Sequence, residues 1–295
     1  METGNVKPLE NLEDRKLKEI EHSERRRTIL QGYERHIDTT LDEQVGGVPS
    51  LIRDNEAFEQ HFSNVKYYSV ATGSEKYYQD WLRQRCTPGK KVLDYCCGNG
   101  ENGIYSAQFG ADVIGIDISP KGIENCRLNA VREGVDKNCR FEVMDAEATQ
   151  FPDNSFDVIV EYGALHHLDY PKAMTELRRI IKPTGEIICI EALRHNPLIH
   201  LYRRMTPDLR TAWEVEHILT VQHLDQSREY FEEVNTKFFH LAVLAAVPFR
   251  KTRLFGPLRS FLQKIDGMIL KNQLVGKYAW IMVFTLAQPK NSKKV

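Results

Sequence analysis

The chain has 295 residues, 41% of them hydrophobic and 27% charged, and its formal net charge at pH 7 is −1. This length accommodates one large domain with a sizeable core, and the near-zero net charge argues against a nucleic-acid partner. The first eleven residues contain no apolar core, so we expect no secretory signal, and the longest apolar run, 238–249, is shorter than the roughly 20 residues of a membrane span.

The N-terminal segment, residues 1–85, is predicted to be a helical arm and lid that precedes the main domain. Its first 45 residues mix charges of both signs, and the apolar stripe formed by residues such as Leu17 and Ile20 is thin. Such a pattern favours a solvated helix, or a lid that packs only when something else is present. The main domain is predicted to cover residues 86–295.

Alternating strand and helix signals begin at Lys90. The predicted strands lie near residues 91–95, 112–117, 140–145, 156–161 and 186–190. Helices are predicted between them, one of which opens at Pro120, a favoured first helical residue. Strands that alternate with helices of this length indicate a parallel sheet with helices on both faces.

The regular alternation stops after the fifth strand. Two insertions, at 193–224 and 249–277, are predicted to form an acceptor pocket or a cap. Between them we predict a helix near 225–234 and a strand near 238–247, and a final strand is predicted at 279–286. The basic, amphipathic segment 249–277 is interpreted as a helix packed on the domain; a membrane-surface helix is the less favoured alternative.

Three predicted strands are each followed or ended by an acid: Asp94, Asp117 and Asp145. Since ligands of open α/β sheets bind at the carboxyl ends of the strands, these acids are expected to line one binding edge. The turn 98–103 also matches GxGxxG, the fingerprint of dinucleotide-binding folds. However, Asp94 would repel a pyrophosphate and Asp145 has no role for a dinucleotide, so the pattern favours a ligand without phosphate and with a positive end.

Residues 90–191 resemble the core of the class I S-adenosylmethionine-dependent methyltransferases, in particular the small-molecule (methyltransferase type 11-like) group. The resemblance rests on the first motif, which reads Leu-Asp-Tyr-Cys-Cys-Gly-Asn-Gly at 93–100, and on the two later acids. It implies an α/β fold with a Rossmann-like, doubly wound, seven-stranded sheet. In that fold the sheet is mostly parallel, with an antiparallel last strand, and here it would carry the N-terminal helical lid.

The resemblance also implies S-adenosylmethionine as the cofactor and assigns residues to it. Asp94 would help to hold the amino group, Asp117 would accept from the ribose hydroxyls, and Asp145 would accept from the adenine amine. The other residues implied at the cofactor are Cys96, Gly98, Gly100, Asn102, Ile118, Ala146, Glu161 and Tyr68. Cys96 stands where the family usually has glycine, and because cysteine disfavours positive φ, a negative φ is expected there.

His166 and His167 follow the fourth predicted strand and are the candidate general bases, because imidazole has a suitable pKa. Packing or capping of a helix is the alternative role for this pair. Arginines of 193–224 suit a carboxylate or phosphate on the acceptor, or they form a solvated face. No metal site is expected, because Glu214, His217 and the neighbouring candidates lack the spacing of a compact helical ligand pair.

The sequence therefore predicts a methyltransferase that acts on oxygen or nitrogen of a small organic molecule, lipophilic acceptors included. Two alternatives stay open: the same fold using the cofactor for a non-methylating reaction, and a non-catalytic subunit that activates a partner. We expect a small-molecule acceptor, no nucleic acid, membrane association only as the less favoured case, and a cytoplasmic location with reduced cysteines. The sequence does not define an oligomeric state.

Overall fold

The structure is a computed structural model that describes residues 12–34, 44–45, 48–49, 65–206 and 210–291. The parts of the predicted arm at 1–11, 35–43, 46–47 and 50–64 lie outside these described residues.

A seven-stranded sheet forms the centre of the main domain. Its strands are β1 (Lys91–Tyr95), β2 (Asp112–Asp117), β3 (Cys139–Val143), β4 (Phe156–Tyr162), β5 (Ile181–Ala192), β6 (Phe231–Phe239) and β7 (Ile281–Pro289). Their spatial order is β3-β2-β1-β4-β5-β7-β6. Strands β1 to β5 pair in parallel, whereas β7 is inserted antiparallel between β5 and β6. The predicted fold, including its antiparallel last strand, is confirmed.

Helices surround the sheet, and short polar side chains begin several of them. The helices are α1 (Asp14–Glu34), α2 (Val65–Tyr68), α3 (Thr72–Arg85), α4 (Glu101–Ala107), α5 (Pro120–Arg132), α6 (Tyr170–Ile180), α7 (Pro197–Met205), α8 (Ala212–His217), α9 (Gln222–Tyr230), α10 (Phe255–Ile269) and α11 (Gln273–Gly276), with 3₁₀ turns at Leu165–His167 and Ala242–Phe249. The Oγ of Ser119 accepts from Gly122 N at the start of α5, where Pro120 occupies the first turn.

The core lies on both faces of the sheet because its strands are buried on both sides. Val92 packs in one apolar cluster, and Leu93, the next residue of β1, packs in the other. This alternation explains why the parallel strands are almost continuously apolar in sequence. The same alternation fixes the register of the strands, and the polar residues follow at the strand ends.

The predicted helix and strand between 225 and 247 are shifted in the structure. The helix ends at Tyr230, β6 covers Phe231–Phe239, and the apolar run predicted as a strand is instead the 3₁₀ turn Ala242–Phe249. His240 has a positive φ of 66°, which ends the strand. The carboxylate of Asp266 in α10 then accepts from the backbone N–H groups of residues 241–243 and stabilises the 3₁₀ turn.

Helix α10 accounts for most of the basic segment 249–277. Its Phe255, Leu258 and Leu262 pack against the core, while Phe261 and Met268 are exposed. Among the described residues, no helix is both long enough and apolar enough to cross a bilayer.

Candidate active site

Three adjacent strands bring the predicted acids to one edge of the sheet. Asp94 lies near the end of β1, Asp117 ends β2, and Asp145 follows β3 by two residues. Asp94 is buried, and its Oδ2 accepts from Gly103 N at 2.7 Å. Asp117 accepts from Gly98 N at 3.0 Å and from Ser119 N at 2.8 Å. The acids therefore form a cleft, and the turn after β1 is bonded directly to the second acid.

The glycine turn holds its shape through positive φ angles. Gly98 has φ 61° and Gly100 has φ 87°, and a Cβ at Gly100 would lie 3.2 Å from Cys126 Sγ. Cys96 also has a positive φ, 59°, so the expectation of a negative φ was wrong. The surrounding bonds, from Cys97 N to Ile116 O and from Gly100 N to Cys97 O, fix the turn, and a left-handed cysteine costs roughly 1–2 kcal/mol.

Burial changes the protonation of the innermost acids. Removal from water, assisted by the charges of Glu101 and Asp117, raises the pKa of Asp94 to about 7, although its bond from Gly103 acts in the opposite direction. Burial also raises the pKa of Asp117, against the influence of the nearby Arg27. The floor of the cleft therefore favours either a proton or a cation.

The predicted lid helix, α1, lies over this cleft and supplies cations to it. Lys16 Nζ is 2.6 Å from Asp145 Oδ2 and 2.9 Å from Glu147 Oε2. An Arg27 Nη lies 3.6 Å from Asp117 Oδ2. Two of the three acids assigned to the cofactor by resemblance are thus in contact with positive groups of the chain itself.

Further contacts fix α1 along the cleft and towards the two histidines. Arg15 donates to both oxygens of Glu147 at 2.7 and 2.6 Å. Glu19 Oε2 lies 2.9 Å from His167 Nδ1. Lys16 and Arg27 are buried, whereas Lys18 on the outer face of the helix is exposed.

These groups fit the cofactor that the resemblance implies. The adenine amine and the ribose hydroxyls of S-adenosylmethionine are donors, and the carboxylates implied for them, Asp145 and Asp117, already contact an ammonium and a guanidinium that stand in for such donors. Among the other implied residues, Asn102 lies in the first turn of α4, and Ile118 directly follows Asp117. Ala146 is buried, and its carbonyl accepts from the hydroxyl of Tyr95 at 2.6 Å.

A buried acid pair lies behind the two histidines. His166 Nδ1 is 2.7 Å from Glu191 Oε2, and Glu191 Oε1 accepts from Leu165 N at 2.6 Å. Burial disfavours the imidazolium, but Glu191 outweighs this and raises the pKa of His166. Burial, reinforced by Glu191, raises the pKa of Glu161 well above its ordinary value. Glu161 is fully buried, and one of its carboxylate oxygens accepts from Ala164 N at 2.5 Å and from Leu165 N at 3.2 Å.

A cavity of about 190 Å³ opens beside this pair. Its lining combines aromatic, basic and histidine side chains: Tyr67, Tyr68, Gly163, His166, His167, Ala192, Ile199, Tyr202, Arg203, Arg210, Glu214, Ile218 and Trp280. Tyr68 lies here, with its ring 5.4 Å from that of Trp280. Several polar residues of segment 193–224 lie elsewhere. His195, His200 and Arg204 are exposed, and His217 stacks on Trp213.

Sequence reasoning missed Lys16, Arg27, Glu191 and Trp280. Glu191 carried the same signal as the other acids, a carboxylate at the C-terminal end of a strand, and could have been found. The cations of α1 had no comparable signal, because they are spread along a highly charged helix. Trp280 immediately precedes β7 and lines the pocket, a position that depends on the tertiary fold.

His166, His167 and Glu214 also form a cluster with metal-ligand chemistry. Their donor atoms all lie within 4.8 Å of one another. The Nε of Arg210 lies 3.4 Å from Glu214 Oε1, so a fixed positive charge already contacts the carboxylate.

Comparison with known proteins agrees with this geometry. The family model described as "Methyltransferase domain" matches residues 87–235. The protein therefore belongs to this methyltransferase-domain family, whose fold and cleft are those of class I S-adenosylmethionine-dependent methyltransferases.

Curated relatives share part of this domain. Phosphoethanolamine N-methyltransferase 3 of Arabidopsis thaliana is 31% identical over 169 residues, which cover 56% of this chain but only 31% of the plant protein. Demethylmenaquinone methyltransferase of Lactococcus lactis is 29% identical over 177 residues, 55% of this chain and 69% of the relative.

A solved structure shares the fold over most of the chain. Geranyl diphosphate C-methyltransferase of Streptomyces coelicolor has a TM-score of 0.50 at 13% identity, with 90% of this chain and 98% of that one covered. At this identity the likeness concerns the fold alone.

Proposed function

We propose that this protein transfers a methyl group from S-adenosylmethionine to oxygen or nitrogen of a small organic molecule. The observation that carries the proposal is the pairing of two sites: an acidic cleft at the strand ends, and next to it a 190 Å³ pocket that contains His166 and His167. The pocket's size suits a small acceptor rather than a macromolecule.

One set of residues would bind the cofactor and another would bind the acceptor. Asp94, Asp117 and Asp145 would bind the cofactor, together with the backbone of Cys96, Gly98 and Gly100. When bound, S-adenosylmethionine supplies an activated methyl on a sulfonium, so the protein mainly has to align the acceptor and exclude water. The aromatic wall of Tyr67, Tyr68 and Trp280 serves that purpose.

His166 is the better placed of the two candidate bases. Its Nδ1 is bound to Glu191, which orients the ring and leaves Nε2 as the nitrogen that would accept a proton from the acceptor. His167 instead has its Nδ1 near Glu19 of α1. In this proposal His167 positions the helix, and Glu191 positions the base.

Isothermal titration with S-adenosylhomocysteine tests the cofactor part. Asp117→Ala should weaken binding by about tenfold or more, because a carboxylate that accepts hydrogen bonds from two hydroxyl groups is lost. Asp136→Ala, which removes an acid from the exposed loop between α5 and β3, is the control. Absence of wild-type binding at millimolar ligand would refute the proposal, as would equal affinity in the Asp117 variant.

We also propose a cytoplasmic location and, as the less favoured case, a weak association with membranes. Six free cysteines support a reducing, cytoplasmic compartment; among them, Cys97 and Cys126 have sulfurs 3.6 Å apart that form a hydrogen bond and no disulfide. The exposed apolar side chains of α10, such as Phe261, are the feature that a weak membrane association would use.

A further inference from the structure

The acceptor pocket contains more positive than negative groups. Arg203 and Arg210 both line it, and Lys66 lies 5.4 Å from the ring centre of Tyr67 and 5.2 Å from that of Tyr202. Among the described residues of its lining, Glu214 is the one carboxylate, and it is already in contact with Arg210. Glu191, which is bound to His166, is a second carboxylate whose charge acts on Arg203, so Arg203, Arg210 and Lys66 still outnumber the two described carboxylates.

The positive charges of Arg203 and Arg210 repel each other. Burial, followed by the charge of Arg210, lowers the pKa of Arg203 to about 10, so it is still protonated at neutral pH. A partly buried cation beside a second cation is destabilised unless an anion joins them. Among the residues that the structure describes, Glu214 forms an ion pair with Arg210 and none forms one with Arg203, so an anionic ligand would compensate the charge of Arg203.

Both arginines are held in place by the backbone. An Nη of Arg203 donates to Leu193 O at 2.9 Å, and an Nη of Arg210 donates to Thr206 O at 3.1 Å. Within the described residues, the bond to Leu193 uses one of the five N–H donors of Arg203. The remaining donors belong to a pre-oriented fork, the geometry that binds carboxylate or phosphate through two parallel bonds.

We propose that the methyl acceptor carries an anionic group, carboxylate or phosphate, which Arg203 and Arg210 bind while its nucleophile lies at His166. This specificity rests on the proposed methyltransferase function and deepens it. The tyrosine and tryptophan side chains would cover the apolar part of the acceptor. Arg203 and Arg210 are then the residues that determine which acceptors enter.

A divalent cation is the competing occupant of the same pocket. His166, His167 and Glu214 would supply its ligands. The two arginines oppose it, since each places a fixed positive charge beside the cluster, and Arg210 contacts the carboxylate that a metal would need. The balance of charge thus favours an anion, and metal binding becomes an outcome of the test.

Calorimetric titrations of the protein saturated with S-adenosylhomocysteine test the proposal. The probes are benzoate and benzamide, which have nearly the same shape but differ in charge, and inorganic phosphate, which separates phosphate from carboxylate preference. Benzoate or phosphate is expected to bind at least about tenfold more tightly than benzamide. Arg203→Gln should abolish that preference, because a charge-assisted pair of hydrogen bonds is lost.

Arg204→Gln is the matched control, since Arg204 is the next residue of α7 and is exposed. It should leave all three affinities unchanged, and both variants should keep the affinity for S-adenosylhomocysteine, which shows that the fold is intact. Equal binding of benzoate, phosphate and benzamide, or no effect of Arg203→Gln, would overturn the proposal. So would Zn²⁺ or Mn²⁺ binding that is lost in His167→Gln and excludes the anions. Failure of S-adenosylhomocysteine to bind the wild type would instead refute the proposed function, independently of the anion results.

Discussion

The cofactor cleft and the acceptor pocket are adjacent and carry opposite charges, and they differ in how far those charges are paired within the protein. In the cleft, acids contact Lys16 and Arg27 of α1, and the innermost carboxylate has a pKa raised to about 7. In the described part of the pocket lining, Arg210 is paired with Glu214, whereas Arg203 forms no ion pair. The acids of the cleft are thus paired with cations of the protein itself, whereas under our proposal the acceptor supplies the negative charge that pairs with Arg203. A cofactor must therefore displace Lys16 and Arg27 from the acids of the cleft, whereas an acceptor can bind in the pocket without breaking an ion pair of Arg203.

The largest effect is expected at the floor of the cleft, with Asp94→Asn. Because its folded-state pKa is raised from 3.8 to about 7, the wild type is most stable below the unfolded pKa and loses stability as pH rises towards 7. At 1.36 kcal/mol per pKa unit, the loss amounts to at most about 4 kcal/mol. Asn cannot ionise, so urea unfolding of the variant should show a flatter pH profile between pH 4 and 8.

Asp112→Asn is the control for that measurement, because Asp112 begins the neighbouring strand and is exposed. It should retain the wild-type profile. A wild-type stability that does not change between pH 4 and 8 would show that Asp94 is not the buried, proton-holding acid described above.

The second prediction concerns the cations that α1 places in the cleft. Lys16→Gln combined with Arg27→Gln should tighten binding of S-adenosylhomocysteine by roughly tenfold, because the ligand no longer competes with two ion pairs. The same charge change at Lys18 and Arg25, which are exposed on the same helix, should have no effect. Isothermal titration of the two double variants measures the difference. Weaker binding in the Lys16–Arg27 variant would mean that α1 closes over the ligand and does not compete with it.

The smallest effect is expected at the pocket's base. Glu191 raises the pKa of His166 against the effect of burial, so Glu191→Gln should move the imidazole titration to lower pH. Nitrogen-15 NMR of the histidine rings follows this without any acceptor. Glu186→Gln, on the same strand and paired with Arg85, should leave His166 unchanged. An unchanged or higher His166 pKa in the Glu191 variant would show that Glu191 does not raise the pKa of His166.

The cleft could be predicted from the sequence and the pocket only in part, for a physical reason. Asp94, Asp117 and Asp145 each follow an apolar run, so local pattern alone places them at strand ends, and the parallel topology brings those ends together. Arg203 and Glu214 come from separate helices, and Trp280 comes from residues just before the last strand. Their meeting depends on packing over long sequence separations, which no local period encodes.

The segment 225–247 shows the same limit within a single stretch. Its apolar run was predicted as a strand, but a positive φ at His240 and a carboxylate from α10 make it a 3₁₀ turn. The contribution of Asp266 comes from 24 residues further along the chain. A local reading of hydrophobicity could not anticipate that donor and acceptor would meet.

The left-handed backbone at Cys96 has a consequence for how the domain can change. A residue with a Cβ is held in a conformation that glycine would adopt freely, at the point where the chain turns beneath the cleft. Replacement by glycine would relax the folded turn but would also increase the freedom of the unfolded chain, so the two effects partly cancel. The strain of about 1–2 kcal/mol exceeds the gain of about 0.4–1 kcal/mol from a more restricted unfolded chain, so the cysteine leaves a small net cost in the turn.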